Sequence, residues 1–173
     1  MATFTKTISD YYGLSCRVTW SETINQSDNT STVSVTKVEL SSSEMAGTFY
    51  ATGYITINGA KVASFSSKAF YVNGTASYYS ALSGAAGSGT VSHNDDGTGS
   101  TIISVTITSI SDWSKWSSAS ASQSVPLTKI DRGIIYIDTG SGFISCQIYI
   151  DNGTAWNVYA PYIDSGSAWA LCI

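Results

Sequence analysis

Charge is scarce in this chain of 173 residues: Lys and Arg number 8, Asp and Glu 12, together 12% of the sequence. No run of basic residues could neutralise several phosphates at once, so nucleic acid is not an expected partner. Histidine occurs once, at His93, which rules out a freely chosen Ser-His or Cys-His pair and limits any histidine metal site to one imidazole. The three cysteines, Cys16, Cys146 and Cys172, are odd in number and contain no C-x-x-C pair, so at least one thiol stays free and no zinc site is expected. Neither a metal nor a cofactor is expected. Apolar runs fall far short of the roughly eighteen residues of a membrane span, and Met1-Ala2-Thr3-Phe4-Thr5 lacks the apolar core and cleavage site of a signal peptide. Membrane insertion is not expected, and synthesis in the cytoplasm is.

What the chain does have is apolar content, 43%, enough to exclude disorder despite the low charge. Its polarity comes from hydroxyls, dense in 27–36, 83–90 and 117–124. Over residues 1–130 the dominant period is two. Leu14, Cys16, Val18 and Trp20 alternate with Ser15, Arg17 and Thr19, which predicts a half-buried strand with Trp20 in the core. Val33 with Val35, and Ile103 with Val105 and Ile107, repeat the pattern. Asn58-Gly59, between Tyr54-Ile55-Thr56-Ile57 and Lys61-Val62-Ala63, predicts a tight hairpin. No helical period competes. The expected fold is all-β: an antiparallel β-sandwich, Ig-like or jelly-roll-like, over 1–130.

Pro126 to Gly133 punctuates the join to a different grammar in 131–173, a linker followed by three copies of a thirteen-residue unit at 135–147, 148–160 and 161–173. Each unit offers a Tyr-Ile strand, an Asp-x-Gly turn and a second strand bearing an aromatic, the makings of a short β-hairpin. A lone hairpin of this size cannot bury its apolar face, so stacking is required on a sister unit, on the sandwich or on another chain.

Four motifs could bear chemistry. Asp138-Thr139-Gly140-Ser141 has the spelling of an aspartic-protease loop and Asp164-Ser165-Gly166-Ser167 that of a second. Asp151-Asn152-Gly153-Thr154 is a third copy, however, and a protease uses two; an enzyme working through Asp138 is the remote reading and none is expected. His93-Asn94-Asp95-Asp96-Gly97 places oxygen ligands beside the histidine, but lacks EF-hand spacing and reads as a turn. Four sequons, at Asn25, Asn29, Asn73 and Asn152, say little in a chain so rich in Ser and Thr, and none is expected to be glycosylated. Recurring aromatics of the repeats, Tyr136, Tyr149, Trp156, Tyr162 and Trp169, are the candidate ligand-binding residues, since Tyr and Trp can pack on the apolar face of a sugar; the competing role is a seam between hairpins. Trp113 and Trp116 pose the same choice.

Arg17-Val18-Thr19-Trp20-Ser21, Asn29 to Val35, Ile55-Thr56-Ile57-Asn58-Gly59, His93 to Thr98 and Leu127-Thr128-Lys129-Ile130 occur here in an order that resembles a domain of minor structural proteins from tailed phages and prophages of Gram-positive bacteria. The likeness spans most of residues 10–132. It departs at Ile130-Asp131-Arg132, where the family usually reads Ile-Pro-Arg, and the Tyr-Ile-Asp-Asn-Gly units resemble tails on similar phage proteins. The resemblance implies a non-catalytic virion part of tail, fibre or baseplate type, made in the host cytoplasm; the modest length of a chain carrying one sandwich suggests, as the alternative, a head decoration or head-fibre protein. Other virion proteins and a bacterial cell-wall glycan are the partners it implies, with host attachment as the role. A repeat array without its own core would gain from symmetry, so a homo-oligomer is expected, and because fibres and spikes are commonly trimeric the expectation is a trimer.

Overall fold

The computed structural model describes residues 1–9, 12–113 and 116–130; between 131 and 173 it describes Thr154 and the backbones of six short strands. Up to Pro126 the strands are β1 (Ala2–Ser9), β2 (Leu14–Asn25), β3 (Thr30–Ser42), β4 (Ala46–Ile57), β5 (Ala60–Asn73), β6 (Gly87–Ser92), β7 (Ser100–Ile110) and β8 (Ala119–Pro126). They form two four-stranded antiparallel sheets, ordered β1-β2-β3-β6 and β5-β4-β7-β8, packed as a sandwich. Among the described residues no helix is long and apolar enough to cross a membrane.

Period-two alternation builds the core. Leu14, Cys16, Val18 and Trp20 point inward from β2, and Phe49, Ile55, Phe70, Val72, Ile103, Val105 and Ile107 meet them from the other sheet. Each fully buried Leu, Ile, Val or Phe side chain contributes about 1.5–3 kcal/mol. On β3 the alternation slips: Val33 and Val35 are followed by exposed Thr36 and Lys37, then by buried Val38 and Leu40. After the slip Glu39 and Ser41 occupy the opposite face and yet are buried, at 3% and 1% exposure, so that face is covered there as well.

The Asn58-Gly59 hairpin forms as the sequence predicts. Both residues have positive φ, 49° and 80°, the signature of the type I′ turn, and Ile57 pairs with Ala60 to close it. Further along, pairing slips on both sides of Thr52-Gly53. A Cβ at Gly53 would stand 2.1 Å from the Thr106 carbonyl oxygen, so only glycine fits. Gly87 allows a comparable approach on β6, where a Cβ would lie 2.8 Å from the Val62 carbonyl oxygen of β5. On the other side of the sandwich the outer strand β1 runs beside β8.

Trp113 stacks on Tyr12 with ring centroids 4.3 Å apart and meets Phe49 and Phe70 edge-on, at 4% exposure. It is core, as is Trp20 at 8%. Trp116, half-buried, packs edge-on against Trp113.

The chain divides into two compact units, one of Met1–Thr23, Ser31–Val91 and Ser100–Leu127, the other of Ile24–Thr30, Ser92–Gly99 and Thr128–Ile173. In the second unit β9 (Ile135–Asp138) pairs antiparallel with β10 (Phe143–Cys146), β11 (Ile148–Asp151) with β12 (Trp156–Tyr159), and β13 (Tyr162–Asp164) with β14 (Trp169–Leu171). Asp138 is the register partner of Phe143, Asp151 of Trp156 and Asp164 of Trp169. The expected Asp-x-Gly turns between these strands, the linker at 131–134 and Cys172 lie outside the described residues.

Candidate functional site

Tyr136, Tyr149, Trp156, Tyr162 and Trp169 fall on β9, β11, β12, β13 and β14 respectively. Their side chains lie outside the described residues, and with them the choice between sugar contact and hairpin seam.

On the sandwich, a different set of aromatics is brought together. Strand β5 leaves its sheet at Asn73, and Gly74 and Ala76, with φ of 76° and 56°, turn the chain into a strap that returns along the edge of β3. Two contacts fix the strap there: the Leu82 amide donates to the Val38 carbonyl at 2.8 Å, and Ala81 bridges to Glu39. Tyr78 and Tyr79 are consecutive yet engage different partners. The Tyr78 ring lies 4.2 Å below the Arg17 guanidinium, while Tyr79 meets Tyr71 of β5 edge-on, centroids 5.5 Å apart. Backbone stitching supports the second contact, since the Tyr71 amide donates to Ser80 Oγ at 3.4 Å.

Tyr71 and Tyr79 are half-exposed, 46% and 49%, and so is Tyr50 of β4 at 49%. In the β4–β5 ladder Thr48 faces Tyr71 and Tyr50 faces Ala69, so Tyr50 and Tyr71 occupy diagonal positions on one face, within reach of a single bound group. Around the rings stand short polar side chains. Asn73 Nδ2 donates to the Tyr79 hydroxyl, Asn73 Oδ1 accepts from the Thr75 amide at 3.1 Å and from its hydroxyl, and Thr75 Oγ1 lies 3.2 Å from Ser77 Oγ. Hydrogen bonds from Thr75, then Ser77, then Asn73 hold the Tyr79 phenol below its ordinary pKa. None of these side chains is charged.

Behind the strap lies the one strongly ionic cluster among the described residues. Glu39 Oε2 accepts from Arg17 Nε and Oε1 from Lys37 Nζ, both at 2.8 Å; the Glu39 side chain is 4% exposed against 36% and 47% for its partners. Its hydrogen bond to Arg17, with a further one to Lys37, holds the carboxyl below its ordinary value against the opposing effect of burial. With two cations satisfied on one carboxylate and an aromatic cap, the cluster reads as an anchor for the strap.

Comparison with family models, with curated proteins and with solved structures gave no match.

His93 belongs to a turn, as its neighbours predict. Its Nδ1 donates to the Gly97 carbonyl at 2.9 Å, the Gly97 amide donates to Asn94, and Asp96 Oδ1 accepts from both the amide and hydroxyl of Thr98. Asn29 ties the turn down, donating through Nδ2 to the carbonyls of His93 and Asn94 at 3.2 and 3.0 Å. No group of three His, Cys, Asp or Glu able to hold a metal is present among the described residues.

Sequence reasoning missed Tyr50, Tyr71 and Tyr79. Strand alternation could have placed Tyr50 and Tyr71 outward, opposite buried Phe49 and Phe70, but the arrival of Tyr79 depends on the strap.

Proposed function

We propose that this chain is a virion structural protein of tailed-phage type, a β-sandwich extended by three stacked β-hairpins that serve assembly or host attachment and perform no catalysis. The observation behind this reading is the register of the repeats. Asp138, Asp151 and Asp164 stand at the same place in three strand pairs, each opposite an aromatic, which favours reading the Asp-x-Gly spelling as a repeated structural unit over a catalytic pair. Units of four-residue and three-residue strands are too small to bury their own apolar faces, which favours stacking and symmetric association, with a trimer favoured because fibres and spikes are commonly trimeric. The order of the sequence blocks across 10–132 supports a particle component. Other virion proteins are the expected partners, and a cell-wall glycan the expected host ligand.

Mass spectrometry of purified particles should detect the chain in stoichiometric amount; its absence from them overturns the reading. Deleting 133–173 should reduce the oligomer to monomers in multi-angle light scattering, and an unchanged oligomer removes assembly from the role of the repeats.

A further inference from the structure

We infer that the outward face of the β4–β5 hairpin, where Tyr50, Tyr71 and Tyr79 stand with Asn73, Thr75 and Ser77, is a binding site for a neutral oligosaccharide. A hexopyranose presents an apolar face of axial C–H groups and a rim of hydroxyls, and such a ligand needs aromatic area with short polar groups beside it. Both are present. Three tyrosines about half exposed offer ring surface that the core does not use, and the edge-on contact of Tyr79 with Tyr71 makes a step between two rings rather than a flat patch. Asn73, Thr75 and the Tyr79 hydroxyl are already held by one another, so little side-chain freedom remains to be lost on binding.

Neutrality follows from the lining, because no charged side chain belongs to this group and a sulfated or carboxylated sugar would find no countercharge in it. The site also extends along β4, where Thr48 and Thr52 face outward with Tyr50, which fits a chain of sugars better than a single one. Tyr54, the next outward residue, is capped by Lys61, whose Nζ lies 4.7 Å from the ring centroid, and the uncharged lining ends there.

The inference rests on the attachment reading for its biological sense but assigns the ligand to the sandwich and not to the repeat aromatics. The test is a glycan array of neutral and anionic oligosaccharides probed with the full chain, with hits measured by titration calorimetry. Neutral oligosaccharides should bind. Tyr71→Ala and Tyr79→Ala should each weaken them about tenfold, the scale of one lost aromatic contact, and Tyr79→Phe by less, while Trp156→Ala with Trp169→Ala leaves binding unchanged. Near-ultraviolet circular dichroism checks that the half-exposed tyrosine variants remain folded. No neutral ligand on the array, a preference for anionic sugars, or loss of binding only in the tryptophan variants would each overturn the site. None of those results bears on whether the chain is found in particles, so the two readings fail separately.

Discussion

Glu39→Gln tests the ionic anchor without changing its volume. The carboxylate takes a charge-assisted hydrogen bond from each of Arg17 and Lys37 at 2.8 Å while its own side chain is only 4% exposed. Bonds to charged groups contribute about 1.5–3 kcal/mol each. Here both cations are a third to a half exposed and recover water when the charge is lost, so the net cost falls below the 3–5 kcal/mol of a stranded buried ion. About 2 kcal/mol is expected, or roughly 4–8 °C in Tm for a chain of this length. Urea denaturation followed by tryptophan fluorescence reads the difference. Its pH dependence has a definite sign. A carboxyl held below its ordinary 4.5 in the folded state stabilises fully above that value and loses its contribution as pH falls through the lower folded pKa. The gap between wild type and variant should therefore be constant near neutrality and shrink below about pH 4.5. Equal stability at pH 7, or a gap that persists undiminished at pH 3, would refute the role assigned to Glu39.

Two glycines separate backbone strain from crowding. Gly59→Ala meets nothing within 4 Å, so its positive φ alone should cost about 1–2 kcal/mol, whereas Gly53→Ala drives a Cβ onto the Thr106 carbonyl and should cost about 3 kcal/mol or more; comparable losses in thermal denaturation would contradict this distinction. Cys16 is fully buried and its thiol is pushed up to about 12 by burial. At pH 8 iodoacetamide should label it only after unfolding, as peptide mapping can show, and rapid labelling of the native chain would contradict the burial.

Where local chemistry decides structure, the sequence was enough. The alternation from Leu14 to Trp20, the Asn58-Gly59 turn and the His93 to Gly97 turn depend on residues within a few positions of each other. Strand β8 was harder to see, because Ala121 and Val125 are its only buried apolar residues and Ser120, Ser122 and Ser124 leave little else that is apolar. The second half of β3 was hidden for another reason: a buried Glu39 contradicts any local pattern and makes sense only once Arg17, Lys37 and the strap are in place. The tyrosine face likewise needs Ala76 at a φ of 56°, which no rule of residue preference selects, to bring Tyr79 onto Tyr71. The repeats invert the situation, since their spelling is plain while their aromatic side chains lie outside the described residues.

The close approach of the two sheets at their margins answers a problem that low charge creates. Many β-proteins discourage strand exchange between molecules by placing lysines on their outermost strands. Of the four outermost strands here, β6 and β8 have no charged residue, β1 has only Lys6, and β5 alone carries two lysines, Lys61 and Lys68. Crowded copies of such a chain would be at risk of pairing edge to edge. With β1 lying along β8, and Gly87 letting β6 settle against β5, shape takes over the protective duty usually left to electrostatic repulsion, and a hydroxyl-covered surface can remain nearly uncharged without becoming a template for aggregation.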